Sequence, residues 1–268
     1  MKQYNIKTIL IGNKKYIICS DDNYILQIGN NFEPYMCALF SILIEKKDVV
    51  ADIGANIGLT TLLFSSIAEY VYAFEPSLTT FNFLKMNISN SNITNVDLYN
   101  IGLGNEKRTA KITFAANNRS GGFVSDLIRP EQDHVTEEIK IVTIDDFYQN
   151  KKLIPTFLKL DVEGFEQNVI KGGKEFIQKY NPTIVLELNH FCLSVLHRIT
   201  VPDFFDFLRS IFPILYAVDS DNKQILNLHI SDHAYTVMHE HVVKHRFPNI
   251  VAGFDQTIES KLNKLQEM

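Results

Sequence analysis

Val49-Val50-Ala51-Asp52-Ile53-Gly54-Ala55-Asn56-Ile57-Gly58-Leu59-Thr60-Thr61 is a short apolar run, then an acid, then two glycines framing a tight bend, then the start of a helical pattern. That order suits a buried parallel strand whose carboxyl end opens onto a ligand. Glycines at the bend permit a sharp turn and a close backbone approach to the ligand. A second strand, Tyr70-Val71-Tyr72-Ala73-Phe74, ends in Glu75 and Pro76. Glu75 stands about 20 residues beyond the glycines, where nucleoside-binding α/β folds carry the carboxylate that holds a ribose diol.

The loop chemistry separates two classes of nucleoside ligand. A dinucleotide loop places three glycines as GxGxxG so that a pyrophosphate can sit on the helix amino end. Here Gly54 and Gly58 are spaced GxxxG, and Asp52 precedes them. An acid repels a diphosphate but accepts hydrogen bonds from an ammonium group. S-adenosylmethionine has an ammonium, a sulfonium and a ribose diol but no phosphate. The loop therefore favours that cofactor over NAD, which keeps NAD-dependent oxidation as the weaker enzymatic reading. A nucleoside-binding scaffold without turnover is the non-enzymatic one.

The 268 residues are enough for one α/β domain with additions. A hydrophobic fraction of 46% and a charged fraction of 21% are those of a soluble globular chain. A net charge of -5 argues against a large nucleic-acid footprint, which needs a basic face. Cys19, Cys37 and Cys192 lack metal-ligand spacing and read as small buried hydrophobes in a reducing compartment. Neither a signal peptide nor a membrane-spanning run is visible, so the expected location is cytoplasmic. No feature sets an oligomeric state.

Outward from the opening motif, residues 4–30 alternate apolar and polar positions around Gly12-Asn13 and Asp21-Asp22-Asn23, which predicts two or three antiparallel strands. Pro34 opens a helix reaching Glu45, with Tyr35, Leu39, Ile42 and Leu43 on one face. A βαβ rhythm starts at Asp48. Lys111–Phe114 and Ile139–Val142 read as strands around a polar insertion, in which residues 117–126 suit a flexible lid or substrate loop. Tyr216–Val218 and Tyr235–Met238 read as closing strands, and a polar helix follows from Gln256. This gives an N-terminal β extension with a lead-in helix over 1–47, a core over 48–254, and a tail over 255–268.

The second informative stretch is Phe157-Leu158-Lys159-Leu160-Asp161-Val162-Glu163-Gly164. Asp161 stands at the carboxyl end of a core strand, where open parallel sheets bind ligands, and Glu163 follows it. Thr183–Leu188 is the next strand and ends at Asn189-His190. His190 has the intrinsic pKa of a general base, with Glu163 and Asp161 as the other candidates. His229, His233, His239, His241 and His245 in the tail read as a hydrated surface rather than as a metal site.

The segments VVADIGANIGLTTL, YAFEPSLTTFNFLKMNI, IKIVTIDDF, LKLDVEGFEQNVIKGG and PTIVLELNH, in this order, resemble the FkbM family of S-adenosylmethionine-dependent methyltransferases. The resemblance implies a class I methyltransferase fold, a Rossmann-like and mostly parallel seven-stranded sheet with helices on both faces and an antiparallel last pair. It also implies O-methylation of a sugar, glycan or secondary-metabolite hydroxyl. Carried over by motif, Asp52, Gly54, Asn56, Gly58, Glu75 and Asp161 serve the cofactor, and Asp161 and Glu163 lie near the transferred methyl. The expected partner is a small-molecule or carbohydrate acceptor, not nucleic acid. The Asn/Asp-Pro-Pro-aromatic motif of amino-directed enzymes is absent at the fourth strand.

Overall fold

A computed structural model describes residues 4–219 and 221–267. The chain opens with a hairpin, β1 (Asn5–Ile11) and β2 (Lys14–Ser20), then two helices, α1 (Tyr24–Gln27) and α2 (Pro34–Leu43). The βαβ rhythm follows as β3 (Val49–Ile53), α3 (Leu59–Ile67), β4 (Tyr70–Phe74), α4 (Leu78–Asn90) and β5 (Val96–Tyr99). An insertion adds β6 (Gly102–Leu103), β7 (Arg108–Ala115), β8 (Asn118–Val124) and β9 (His134–Val142), which pair in the order β6-β9-β7-β8. After α5 (Ile144–Tyr148) come β10 (Phe157–Leu160), α6 (Glu166–Lys171), α7 (Lys174–Tyr180) and β11 (Thr183–Glu187). The chain finishes with α8 (Val201–Arg209), β12 (Ile214–Asp219), β13 (Gln224–Asn227), α9 (Ser231–Lys244), β14 (Asn249–Gly253) and α10 (Thr257–Glu267).

The main sheet runs β13-β12-β14-β11-β10-β3-β4-β5. From β11 to β5 it is parallel, and β14 and β12 close it antiparallel. Those seven strands give the expected class I methyltransferase order. An eighth, β13, adds to the edge because β12 turns back on itself as a hairpin.

Strand alternation builds a core on each face. In β3, Val49, Ala51 and Ile53 pack on one face, and Val50 on the other. Tyr72 and Phe74 of β4 and Leu158 and Leu160 of β10 join the first face. Val71, Ala73 and Phe157 join the second, beneath the hairpin, α2, α3, α4 and α10. Phe40, Phe64 and Phe157 meet edge to face there, with Phe40 and Phe64 centroids 4.9 Å apart. Cys19, Cys37 and Cys192 are buried free thiols, as their apolar neighbours suggest.

The N-terminal hairpin is tied to the core by one buried side chain. Asn87 of α4 accepts from the Cys19 backbone N–H at 2.8 Å and donates to the carbonyls of Cys19 and Ile57 at 3.2 and 2.9 Å. A buried amide that satisfies three backbone groups at once fixes β2 against the loop after β3.

Residues 4–30 hold two antiparallel strands, within the expected two or three, followed by a short helix. Three expectations change. In α2 the buried face is Cys37, Leu39, Phe40 and Leu43, and Tyr35 is exposed. Residues 117–126 are not a free loop. Asn118–Val124 forms β8 against β7, with Val124 buried opposite Ile112. Its Arg119 is paired with Asp21 and lies 3.5 Å from Asp22. Tyr235–Met238 lies inside α9, and β14 supplies the missing closing strand. A stretch of four residues fits either period; Ala234, Val237 and His241 share the buried side, a helical spacing. His241 is therefore core, unlike the exposed His229, His239 and His245.

The helix reading separates two neighbours that a strand would put on one face. Tyr235 is 68% exposed and Val237 is 0% exposed. Tyr235→Glu should change unfolding free energy by less than about 0.5 kcal/mol, and Val237→Ala should lower it by about 2 kcal/mol. Urea denaturation of both variants checks this; equal losses would contradict the helix.

Candidate active site

The bend after β3 is held by the chain itself. Gly54 has φ +82°, and a Cβ there would lie 1.8 Å from the Asp161 carbonyl oxygen. The N–H groups of Gly54 and Ala55 donate to the Phe74 carbonyl at 3.0 and 2.9 Å. Glycine is thus required first by the neighbouring strand's backbone, and a larger residue would disturb folding before it met any ligand. Asn56 follows with φ +51°, and Gly58 with φ +99° caps α3.

Asp52 sits differently from its expected place. It is 0% exposed, so no ligand can reach it. Its Oδ2 accepts from Thr60 Oγ1 at 2.9 Å and Thr61 Oγ1 at 2.6 Å, both in the first turn of α3. Its Oδ1 lies 3.4 Å from Lys159 Nζ. Asp52 fixes the helix start to the strand end and supports the bend after β3 from behind.

Lys159 was not singled out by sequence, although a lysine inside the apolar strand Phe157–Leu160 is the signal that marks it. It is 4% exposed and stands beside Asp52 in the β10–β3 register. Its Nζ donates to the Gly54 carbonyl at 2.9 Å and lies 3.2 Å from Asp161 Oδ2. Burial works against its charge, but the Asp161 and Asp52 carboxylates outweigh it and raise the ammonium's pKa.

Glu75, at the tip of β4, is 6% exposed. Its oxygens accept from the backbone N–H groups of Asn56 at 3.0 Å and Ser77 at 2.9 Å. Burial raises its pKa to about 7 despite those donors. Each carboxylate oxygen has a second acceptor site left over.

Beyond β10 the chain turns at Glu163, φ +52°, and Gly164, φ +91°. A Cβ on Gly164 would lie 2.8 Å from the Cys192 carbonyl carbon. Fully buried Glu166 accepts from the Val162 and Gly164 N–H groups at 3.1 and 3.3 Å, and burial raises its pKa to about 8. Glu163 Oε2 accepts from Asn189 Nδ2 at 3.1 Å and Cys192 Sγ at 3.4 Å. Oxygens of Asp161, Glu163 and Glu187 all lie within 4.8 Å of one another. Glu187 ends β11, two residues before the Asn189-His190 pair that the sequence marks. Burial first, and the neighbouring carboxylates second, raise the pKa of both Glu163 and Glu187. Like charges this close cannot all ionise together, so one or more holds a proton near neutrality.

His190 is not part of this group. Its ring lies 5.0 Å from that of His241 and 5.7 Å from that of His245, and it borders neither cleft below. Burial and His245 lower its pKa.

Two clefts meet at the bend. The larger, about 590 Å³, runs from Glu33 and Tyr35 past Gly54–Thr60 to Glu187, Arg246 and Asn249. The smaller, about 80 Å³, is lined by Glu75, Ser77, Ile101, Gly102, Leu103 and Phe165 among others. Gly54, Asn56 and Asp161 border both.

A glycine bend after β3, a carboxylate at the tip of β4 and acids beyond β10 stand on the strand order of a class I methyltransferase fold. The methyltransferase FkbM domain model matches residues 52–218, more than half of the chain. The chain belongs to the FkbM family of methyltransferases, and that membership implies S-adenosylmethionine as the cofactor. It is 30% identical over 142 residues to the hexuronic acid methyltransferase AglP of Haloferax volcanii, covering 53% of this chain and 56% of that protein. It is 29% identical over 159 residues to methyltransferase 1 of Beauveria bassiana, covering 52% of this chain and 64% of that protein. The matched part thus falls short of two thirds of either relative. Among solved structures, the FkbM methyltransferase of Methylobacillus flagellatus matches with 20% identity and a TM-score of 0.43, over 63% of this chain and 38% of that one. No helix among the described residues is long and apolar enough to cross a membrane.

Lys159→Met should lower stability by about 3–5 kcal/mol, because Asp52 is left charged and buried without a cation; denaturant titration reads it, and a loss under about 1 kcal/mol would refute the pairing. Glu166 gives a pH test. Its folded pKa of about 8 lies above the unfolded value, so its contribution is present below about pH 4 and is lost as pH rises through about 8. Glu166→Gln keeps the acceptor oxygen and removes the ionisation. The variant should melt higher than the wild type at about pH 9, with the gap closing toward about pH 5. A pH-independent gap in calorimetry would contradict the buried-acid account.

Proposed function

We propose that this chain is an S-adenosylmethionine-dependent methyltransferase that methylates a hydroxyl of a sugar, glycan or polyhydroxylated secondary metabolite. The observation that carries the reading is the acid group of Asp161, Glu163 and Glu187 near the junction of two clefts.

The residues fit the cofactor. Glu75 offers free acceptor sites for the ribose diol beside the Asn56 backbone. Ile101, Leu103 and Phe165 give the smaller cleft apolar walls suited to an adenine ring. Gly54, Asn56 and Asp161 border the passage to the larger cleft, and Asp52 and Gly58 support that loop from within. The missing third glycine continues to count against NAD.

The larger cleft suits the acceptor. Its volume is in the range of small-ligand sites. Asp219, Asp221, Asn222, Lys244, Arg246 and Asn249 line its far side, a set of donors and acceptors matched to hydroxyl groups rather than to a nucleic-acid backbone. The Haloferax relative, a hexuronic acid methyltransferase, points the same way.

When bound, the cofactor supplies an electrophilic sulfonium methyl. The protein's task is to align a hydroxyl in line with it, exclude water and accept the proton. Glu163 is the base in this reading. Its raised pKa suits proton transfer near neutrality, and Asn189 and Cys192 hold it in place. Asp161 and Glu187 share the site, and the base role passes from His190 to these acids because His190 lines neither cleft.

Methyl transfer from labelled S-adenosylmethionine to a panel of sugars and uronic acids tests the reading. Glu163→Gln should lower turnover by ~10²–10⁴ while adenosylhomocysteine affinity stays nearly intact. Glu75→Ala should weaken adenosylhomocysteine by ~1.5–3 kcal/mol in calorimetry, the loss of a charged hydrogen-bond partner. Binding of NAD in place of adenosylhomocysteine would overturn the assignment; unchanged turnover in Glu163→Gln with loss in His190→Ala would return the base role to His190.

A further inference from the structure

Glu33 lines the larger cleft with an unusual backbone. Its backbone is left-handed, φ +35° and ψ +65°, a region that a residue with a Cβ disfavours. Both of its neighbours are fixed by the fold. Phe32 is buried and its N–H donates to the Leu10 carbonyl at 2.9 Å, which pins the incoming chain to β1. Pro34 begins α2 immediately after, and the residue before a proline is kept out of the ordinary helical region. Glycine or asparagine would sit there more easily. Glu33 caps α2 without using its side chain, since the carboxylate accepts no bond from the helix. That carboxylate lines the larger cleft, where it feels Asp161, Lys159 and Asp221. No ion pair or hydrogen bond engages it among the described residues.

The bend of Gly54, Ala55 and Asn56 lines the same cleft. On the reading above, which this inference depends on, Glu75 takes the ribose in the smaller cleft. A ligand crossing at Gly54, Asn56 and Asp161 then extends its amino-acid end into the larger cleft, on the side of Glu33. That end carries an ammonium group, and several acceptors near the bend already serve the fold. Asp52 is fully buried and bonded to Thr60 and Thr61. The Gly54 carbonyl already accepts from Lys159. Asp161 is shared with the same lysine at 3.2 Å.

We propose that Glu33, held by its strained backbone at the mouth of the larger cleft, receives the α-ammonium of the cofactor's amino-acid portion. The N-terminal extension then supplies a binding residue that the methyltransferase core lacks. Charge pairing at this point also distinguishes an amino-acid-bearing nucleoside from one without the ammonium.

Calorimetry with three ligands tests this: adenosylhomocysteine, its analogue lacking only the α-amino group, and methylthioadenosine, which lacks the whole amino-acid portion. The wild type should prefer adenosylhomocysteine to the deaminated analogue by about 10-fold or more. Glu33→Gln should weaken adenosylhomocysteine by a similar factor, leave methylthioadenosine unchanged, and abolish the preference. Glu33→Asn, which tolerates the left-handed conformation, should behave alike and guards against a folding defect in the first variant. If Glu33→Gln keeps the preference, or weakens all three ligands equally, Glu33 is not the ammonium partner. If the wild type binds no adenosylhomocysteine, the cofactor reading itself falls and this inference with it.

Discussion

The buried ammonium of Lys159 is the interaction on which the site depends. It joins the ends of two adjacent strands: Asp52 and the Gly54 carbonyl after β3, and Asp161 after β10. A lysine taken fully out of water is tolerated only with such partners. The consequence is rigidity. The bend after β3 cannot shift without breaking the contact to Lys159, and β10 cannot slide without driving the Asp161 carbonyl into Gly54. Asp52, through Thr60 and Thr61, passes the same constraint to α3.

Around that fixed point the acids are distributed unequally. Lys159 neutralises Asp52 and Asp161, but Glu163, Glu166 and Glu187 form no ion pair among the described residues. Burial and mutual repulsion therefore raise their pKa values toward or beyond neutrality. Glu166 is occupied with the turn at Val162 and Gly164 and is structural. Glu163 and Glu187 are left able to exchange protons near the cleft junction. The same strand end thus carries one carboxylate held by a lysine and others held by low polarity, which is the separation of environments that acid–base chemistry uses.

The additions to the core act on the clefts. The four-stranded insertion brings β8 to the wall of the smaller cleft, and Arg119 links it to Asp21 and Asp22 at the end of the N-terminal hairpin. The hairpin is in turn clamped by Asn87. Segments remote in sequence are therefore tied together beside the smaller cleft. Ordered strand pairing, rather than a loose loop, forms that wall, because Val124 and Ile112 bury their side chains across the β7–β8 ladder.

The sequence by itself determined the core order of strands and helices, because apolar runs ending in Asp52, Glu75 and Asp161 leave few alternatives for a parallel sheet. It also marked Gly54, Gly58, Glu75, Asp161 and Glu163 as the residues to watch. It could not decide which way each side chain turns. Asp52 looks like a ligand contact in one dimension and proves buried, because two threonines and a lysine from another strand enclose it. Tyr235–Met238 fits a strand over four residues and becomes a helix once Ala234, Val237 and His241 need a common face. Lys159, Glu187 and Glu33 gain their meaning only from neighbours far along the chain. Local pattern sets which element forms; burial and charge pairing between elements set what each polar side chain does, and those are properties of the packed structure alone.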